Sequence, residues 1–420
     1  MNNFDEKDML TRELRERSAD VGGHPIGFDA VRQSARKIQR RRTIVTGAVA
    51  AVVATIAVPA GLTVTSAIND PNDPAKTPSI AASPSPTATP RPDGTFPLTL
   101  KGLPRGEDPK VSYVISDDRT LVTPEREVDL PESYSQVVPY RGGWMALATS
   151  EQGGHENLTL DEDMTVVGST LAGEALSLNA DGSRLLYVQR DYNVPGRTVV
   201  LDTPATEEYD REEVTWDAPD DSWVKPVGYL DEQTVVFLAM DEDGNNEVLM
   251  GVDDNDPRTV PLEGFLNVSS ASAANGLVAG QISYDDKTGG SCYGAMDPRA
   301  STTKMVWETC DYAPHEFSPD GRYVVAGSPD SDGNGSPGLA VLDAATGGPI
   351  VELSPPKDVM VAVTQAAWED ESTVVAVVIE GTEMRLVRAD VAGNLELAGS
   401  VSHTMDDMDF PLWLAETPRW

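Results

Sequence analysis

Short apolar runs separated by polar turns recur along residues 98–420. Each copy has a polar turn, four or five apolar residues, a polar loop and a second apolar run, as in LSLNADGSRLLYVQR followed by RTVVLD. Runs rich in Val, Leu and Tyr that are bounded by Asp-Gly, Asn-Gly or Pro are typical of β-strands and hairpins. The pattern therefore predicts an all-β domain built from repeated antiparallel units.

The centres of the turns give this repeat a period. Asp181, Asp231, Asn275, Asp320 and Asp370 follow one another at intervals of 50, 44, 45 and 50 residues. Propeller blades of the WD type have roughly 40–45 residues, and kelch blades have about 50. Over the 323 residues of this domain, seven blades would average about 46 residues and six about 54. The period favours a seven-bladed β-propeller, with six blades as the alternative.

The first copy of the repeat is short and lacks strands. The C-terminal segment FPLWLAET (410–417) is apolar enough to complete its sheet. Strands from both ends of the domain would then share one blade and close the ring, which leaves few free sheet edges. We therefore expect the two ends of the domain to pair.

Three segments precede the repeat and predict its location. Residues 1–42 are basic, and their pattern predicts a short helical tail. The segment 43–68 is 26 residues long and has no charged side chain. At about 1.5 Å per residue, a helix of that length spans a hydrocarbon core of ~30 Å. Residues 69–97 hold eight prolines and seven Ser or Thr residues, a composition typical of an extended linker.

Because residues 40–42 are all Arg, the positive-inside rule places the tail in the cytoplasm and the repeat domain outside. The favoured prediction is an uncleaved signal-anchor, and a cleaved signal peptide is the alternative.

Two of the turns carry a recognisable phrase. Residues 317–323 read FSPDGRY and residues 178–183 read LNADGS. They resemble the FSPDG-type blade signature of TolB-type and WD-repeat-like propellers, although the Gly-His and Trp-Asp pairs of strict WD repeats are absent. The order of the segments, from a basic tail through one predicted span and a Pro-rich linker to the repeat domain, is also similar to that of membrane-anchored envelope propellers of actinobacteria. Most of those proteins have no assigned activity. The resemblance implies a rigid funnel rimmed by loops, used for binding or scaffolding.

Charge divides the chain into two electrostatic parts. The formal net charge is −36, of which residues 1–42 carry +3 and residues 98–420 carry −38. A nucleic-acid binder needs a basic surface to offset phosphates, so this function is excluded for the domain. The acidic domain instead predicts a cationic protein or peptide as its partner.

The chain contains two cysteines, which excludes a multi-cysteine metal site. Cys292 and Cys310 both lie in the predicted extracytoplasmic domain, where oxidising conditions permit a disulfide. The bond would enclose 17 residues and stabilise the fold by roughly 3 kcal/mol. Two buried thiols are the alternative.

Two acidic loops resemble calcium-binding loops. Residues 330–335 (DSDGNG) match the first six positions of the calcium-loop pattern, but Val341 stands where that pattern has a bidentate Glu. Residues 241–247 form a similar loop in another repeat. The candidate ligands are Asp330, Asp332, Asn334, Asp241, Asp243 and Asn245. A polar hairpin turn without metal is the alternative.

Catalysis has little support in the sequence. There is no G-x-S-x-G or H-E-x-x-H motif, and no carboxylate pair stands out. The adjacent His315 and Glu316 are interpreted as structural. The leading hypothesis is a non-enzymatic binding or scaffold module without a cofactor, with calcium as the one candidate metal. The alternatives are a signalling protein whose tail 1–42 holds a cytoplasmic regulator, as anti-sigma factors do, and an envelope hydrolase.

Overall fold

Antiparallel strands make up most of the regular structure in the part of the chain that the structure describes. The computed structural model describes residues 94–149, 155–172, 175–190, 197–202, 213–218, 223–240, 245–253, 257–285, 287–300, 304–329, 331, 335–405 and 410–417. The predicted helical tail, the predicted membrane span and all but the end of the predicted linker lie outside these residues.

Twenty-nine strands run through the described residues. In the first half of the domain they are β1 (Phe96–Pro97), β2 (Tyr113–Ile115), β3 (Thr120–Val122), β4 (Glu127–Asp129), β5 (Tyr134–Tyr140), β6 (Gly143–Thr149), β7 (His155–Leu160), β8 (Val166–Ala172), β9 (Ser177–Leu178), β10 (Leu185–Arg190), β11 (Arg197–Asp202), β12 (Glu213–Ala218), β13 (Trp223–Tyr229), β14 (Thr234–Met240), β15 (Asn246–Val252) and β16 (Arg258–Pro261). In the second half they are β17 (Asn267–Ala271), β18 (Val278–Asp285), β19 (Gly290–Met296), β20 (Trp307–Thr309), β21 (Ala313–Phe317), β22 (Tyr323–Gly327), β23 (Leu339–Asp343), β24 (Pro349–Ser354), β25 (Val361–Trp368), β26 (Thr373–Glu380), β27 (Glu383–Asp390), β28 (Leu395–Thr404) and β29 (Leu412–Leu414).

Successive groups of four strands form the blades of a propeller. Blades 2 to 7 consist of β5–β8, β9–β12, β13–β16, β17–β20, β21–β24 and β25–β28, and blade 1 has the strand order β29-β2-β3-β4. A two-residue pairing of β8 with β10 joins blades 2 and 3 into one continuous sheet. The described residues thus form seven blades, which confirms the prediction of an all-β, seven-bladed propeller and excludes the six-bladed alternative.

Blade 1 closes the ring with strands from both ends of the domain. The C-terminal β29 runs antiparallel to β2, with Leu414 opposite Tyr113 and Trp413 opposite Val114. This pairing confirms the closure that the apolar C-terminal segment predicts. At the other end, β1 adds a parallel fifth strand to the outside of blade 6, with Phe96 opposite Leu353. β1 lies at the C-terminal end of the segment assigned to the linker.

Apolar side chains fill the spaces between neighbouring blades. The buried residues of the described chain form seven clusters, one at each interface between adjacent blades. In β14 of blade 4, Val235 and Phe237 pack toward blade 3, whereas Val236 and Leu238 pack toward blade 5. Successive residues of a strand point to opposite faces. Because both faces are buried here, the central strands are uninterrupted apolar runs instead of alternating ones.

The periodic turn centres share one local hydrogen bond. In each, the side-chain oxygen accepts the backbone N–H two residues later at 2.8–3.1 Å. The pairs are Asp181 with Ser183, Asp231 with Gln233, Asn275 with Leu277, Asp320 with Arg322, and Asp370 with Ser372. A short side chain with an acceptor oxygen stabilises a turn in this way. The spacing that the sequence shows is therefore the spacing of hairpins that leave the inner strands.

Candidate ligand-binding channel

The inner strands of the blades surround a central channel of about 810 Å³. β5, β9, β13, β17, β21, β25 and β29 all contribute to its wall. The polar and titratable residues of the wall include Ser112, Asp181, Lys225, Asn267, Gln281, Tyr293, His315, Glu316 and Glu416. A cavity of this size with a few converging polar groups is the usual form of a ligand site.

β-Bulges change the direction of the inner strands where they border the channel. The register shifts by one residue in β13, β17 and β21, which leaves Val227, Ser269 and His315 as the extra residues. A bulge bends its strand and reorients the side chains around it. As a result, the consecutive residues His315 and Glu316 both border the channel, whereas a regular strand would direct them to opposite sides.

Glu316 and Glu416 bring two carboxyl groups into this channel. Glu316 lies in β21 of blade 6, and Glu416 follows β29 of blade 1. Burial, followed by the negative charge of Glu416, raises the pKa of Glu316 to about 8. Burial also raises the pKa of Glu416, although that residue keeps contact with the channel solvent, and a hydrogen bond with Ser112 opposes the shift. Near neutral pH, Glu316 is mainly a neutral carboxyl group.

The Oε2 atom of Glu316 is covered from solvent and has no hydrogen-bond partner among the described residues. The backbone of the same residue is well held, because its carbonyl oxygen accepts the indole N–H of Trp368 at 3.2 Å. Buried polar atoms in folded proteins are almost always paired. An unpaired carboxyl oxygen beside an open channel is therefore a candidate hydrogen-bonding group for a ligand.

His315 and Lys225 contribute the basic groups of the channel wall. Burial, and then the positive charge of Lys225, lower the pKa of His315 to about 3. The imidazole is consequently neutral at pH 7, and Lys225 carries the positive charge of this pair. The channel thus presents the carboxyl groups of Asp181, Glu316 and Glu416 together with one ammonium group and a neutral imidazole.

Side-chain amides hold the channel wall in place. Gln136 in β5 donates to the carbonyl oxygens of Leu176 and Glu416, each at 2.8 Å, and accepts from the N–H of Leu176 at 2.8 Å. One amide therefore connects blade 2 to blade 3 and also fixes the backbone that carries Glu416. Ser270 makes a similar connection from blade 5 to blade 6, since its hydroxyl accepts the N–H of Phe317 at 3.2 Å.

The candidate calcium loops fall largely outside the described residues. Asp330, Asp332, Asn334, Asp241 and Asp243 lie there, and Asn245 is the one candidate ligand that the structure describes. Elsewhere in the described chain, no group of three or more His, Cys, Asp or Glu side chains is arranged to hold a metal ion. The calcium hypothesis stays a prediction.

Cys292 and Cys310 are joined by a disulfide bond in blade 5. Cys292 lies in β19, and Cys310 directly follows β20, so that the bond links neighbouring strands near the outer edge of the blade. The next residue along β19, Tyr293, borders the channel. The bond therefore fixes a part of the blade that contributes to the channel wall.

The sequence did not single out the residues that the channel brings together. The sequence interprets His315 and Glu316 as structural, and both border the channel; their role stays a prediction. Glu416 has no motif around it and lies 100 residues from Glu316 in the chain. For Glu416, the predicted closure of blade 1 gave an indirect indication, because it places the C-terminal segment beside the inner strands.

Comparisons with solved structures find other propellers. TolB from Acinetobacter baumannii is 13% identical over 72% of this chain and 69% of its own, with a TM-score of 0.40. The β-propeller domain of the Trilobed protease from Pyrococcus furiosus, which has an open velcro topology, is 7% identical over 64% of this chain and 85% of its own, with a TM-score of 0.43.

A third similar structure is prolyl oligopeptidase B from Galerina marginata, bound to a 35mer hydrolysis and macrocyclization substrate. It is 9% identical over 66% of this chain, which spans 43% of that protein, with a TM-score of 0.47. No family model matches the sequence, and no curated protein matches it. Similarities at these identities concern the fold alone, and the class of the chain, a seven-bladed β-propeller, follows from its own strand topology.

Within the described residues, no helix has the length and apolar character that crossing a membrane requires. Residues 43–68, which carry the predicted span, are not among them.

Proposed function

We propose that this chain is a membrane-anchored, extracytoplasmic β-propeller that binds its ligand in the central channel and catalyses no reaction. The observation that carries the proposal is the channel itself, in which groups from blades 1, 4 and 6 converge on one cavity of about 810 Å³. The anchor and the orientation rest on the composition of residues 43–68 and on the arginines that precede them.

The rigidity of the channel supports a binding role. Its wall is built from inner strands whose neighbours are connected by the buried amide of Gln136, by the hydroxyl of Ser270 and by apolar clusters at each blade interface. A site that is formed before the ligand arrives loses little entropy on binding. The same propeller also places its charged groups at fixed positions, which is the basis of specificity.

Site-specific photo-crosslinking tests the location of the site. A photoreactive amino acid replaces Asn267, which is exposed and borders the channel. The matched control replaces Val167, a 64% exposed residue on the outer strand β8. Crosslinked products in the native envelope should form from the channel position and be absent from the control. Equal products from both positions, or none from the channel, would contradict a channel site.

Protease treatment of intact cells tests the anchor. Cleavage between the predicted span and β1 should release the propeller into the medium, whereas residues 1–42 should stay with the cells. Retention of an uncleaved chain inside the cell would overturn the extracytoplasmic location. The signalling hypothesis for residues 1–42 stays a prediction that this experiment does not address.

A hydrolase is the second candidate, because of the Glu316–Glu416 pair. Carboxyl groups whose pKa values are raised by burial act as general acids in many hydrolases. Turnover of chromogenic glycosides by the purified full chain, lost on Glu316→Gln, would support this candidate. The absence of turnover together with channel crosslinking would favour the binding module.

A further inference from the structure

The channel contains a carboxyl oxygen that lacks a donor. Oε2 of Glu316 is fully covered and has no hydrogen-bond partner among the described residues. A buried acceptor that is left unpaired costs free energy, and a ligand that donates a hydrogen bond removes this cost. When Glu316 is ionised, its carboxylate is acceptor-only, and the group missing at this position is then a hydrogen-bond donor.

The charges near Glu316 define the kind of donor further. The second carboxyl group, that of Glu416, already has a hydrogen bond with Ser112 and faces the channel solvent. A neutral donor would leave Glu316 protonated, because it does not offset the repulsion that the ionised group would meet from the carboxylate of Glu416. A cation satisfies the oxygen and also neutralises the repulsion, because opposite charges within a few ångströms favour the ionised carboxylate.

The net charge of the whole domain also favours a cationic ligand. Residues 98–420 carry a net charge of −38, which attracts cations to the surface before they enter the channel. Salt screens this attraction beyond about 10 Å, whereas a contact inside the channel is screened much less. The long-range and short-range charges thus select the same kind of ligand.

We propose that the channel binds a basic side chain of an extended peptide, with its guanidinium or ammonium group between Glu316 and Glu416. This inference rests on the proposed binding function and specifies the ligand of that same site. Arg fits better than Lys, since a planar guanidinium has five N–H donors and can contact two carboxylates at once. The Lys225 ammonium in the same wall disfavours a peptide with several adjacent basic residues.

Binding of the cation displaces a proton. Glu316 is mainly protonated near neutral pH, and the incoming positive charge stabilises its ionised form. Affinity for a basic peptide should therefore rise as the pH increases from 6 to 8. The titratable and charged groups that border the channel with Glu316 are Asp181, Lys225, Tyr229, Tyr293, His315 and Glu416. His315 is already neutral in this range because its pKa is about 3.

Isothermal titration calorimetry of the full chain in a nonionic detergent tests the inference. The probe is a blocked pentapeptide of Gly and Ser with one central Arg, and the matched peptide has neutral citrulline in place of that Arg. Titrations at pH 6.5, 7.5 and 8.5, in two buffers of different ionisation enthalpy, measure affinity and proton release. The Arg peptide should bind at least tenfold more tightly than the citrulline peptide, with release of protons at pH 6.5 and 7.5.

Variants locate the binding. Glu316→Gln and Glu416→Gln should each weaken the Arg peptide at least tenfold, and Glu316→Gln should also abolish most of the proton release. Glu125→Gln removes the same charge from an exposed turn of blade 1 and should leave the affinity unchanged. A melting temperature for each variant shows that the fold is kept.

Three outcomes would overturn the inference. These are equal affinity for the Arg and citrulline peptides, no effect of either channel variant, and a calcium titration whose heat is lost on Glu316→Gln. None of them affects the photo-crosslinking test at Asn267, which detects a channel ligand of any charge. Failure of the basic-peptide inference is therefore distinguishable from failure of the proposed binding function.

Discussion

The side-chain amide of Gln365 in blade 7 makes hydrogen bonds with both the N–H and the carbonyl oxygen of Leu414 in blade 1. Its amide nitrogen donates to the carbonyl oxygen of Leu414 at 3.3 Å, and its amide oxygen accepts the N–H of Leu414 at 2.9 Å. The nitrogen also donates to the carbonyl oxygen of Thr417 at 2.7 Å. This side chain holds the C-terminal strand against the ring at the point where the chain closes it.

Gln365→Ala should destabilise the propeller by about 2 kcal/mol or more, because buried backbone groups of the closing strand lose their partners. The seven tryptophans of the chain all lie beyond residue 143, so that intrinsic fluorescence during urea denaturation reports on the propeller. Gln233→Ala, at an exposed position, is the control and should change the free energy of unfolding by less than about 0.5 kcal/mol. Equal effects of the two variants would contradict the closing role of Gln365.

Arg388 connects four acidic or carbonyl partners in blade 7 and the segment before β2. Its guanidinium contacts both carboxylate oxygens of Glu369, at 2.6 and 3.0 Å, and Glu396 at 2.6 Å. It also donates to the carbonyl oxygens of Glu107 and Asp108. The Glu369 side chain is 1% exposed, so that its carboxylate depends on this partner.

Arg388→Met should lower the free energy of unfolding by about 3–5 kcal/mol, since it leaves a buried carboxylate without its cation. Arg385→Met in the same strand is the matched control. Arg385 pairs with Glu383 at 2.7 Å, and that side chain is 48% exposed, so the expected loss is about 1 kcal/mol or less. Urea denaturation of both variants measures the difference, and a loss at Arg388 as small as that at Arg385 would refute the prediction.

The disulfide between Cys292 and Cys310 predicts a specific labelling result. Alkylation of the denatured, unreduced chain should leave both cysteines unmodified, and reduction should make both reactive. Cys292→Ser combined with Cys310→Ser should lower the free energy of unfolding by roughly 3 kcal/mol, through the loss of the cross-link in the unfolded chain. Reductant should then have no effect on the double variant. Full labelling without reductant would contradict the bond.

Glu316 makes the stability of the propeller depend on pH above neutrality. Its pKa is about 8 in the folded chain, compared with an ordinary value of 4.5, so the folded state binds more protons between these values. The free energy of unfolding should therefore fall as the pH rises from 4.5 to about 8, by at most about 1.4 kcal/mol per pH unit. Urea denaturation at pH 6.5, 7.5 and 8.5 should show this slope, reduced in Glu316→Gln and retained in Glu125→Gln. An unchanged slope in Glu316→Gln would contradict the buried neutral carboxyl.

His315 has the opposite effect on the acidic side. Its pKa is about 3 in the folded chain, compared with an ordinary value of 6.5, so the unfolded state binds more protons between these values. Stability should consequently fall as the pH decreases from 6.5 toward 3. Compared with the unaltered chain, His315→Gln should lose less stability between pH 6 and pH 4, as measured by urea midpoints. If both chains lose the same amount, His315 is not buried in its neutral form.

The regular parts of the fold were predictable because they depend on local chemistry. An Asp or Asn that accepts the N–H two residues later stabilises a turn by itself, and this is why the period of Asp181, Asp231, Asn275, Asp320 and Asp370 indicated the blades. The residues of the candidate site were harder to predict from the sequence. The bulge at His315 depends on the pairing of its strand with the next one, and no pattern in the residues themselves indicates it.

The sequence by itself determined the all-β repeat and the closure by the C-terminal strand, and its period favoured seven blades over six, because turn chemistry and apolar runs depend on short segments. Only the tertiary structure decided that Glu316 and Glu416 share one channel with Lys225 and His315. Those residues come from three different blades, and their proximity results from ring closure. The pKa values of His315, Glu316 and Glu416 likewise depend on burial and on neighbouring charges that exist only in the closed ring.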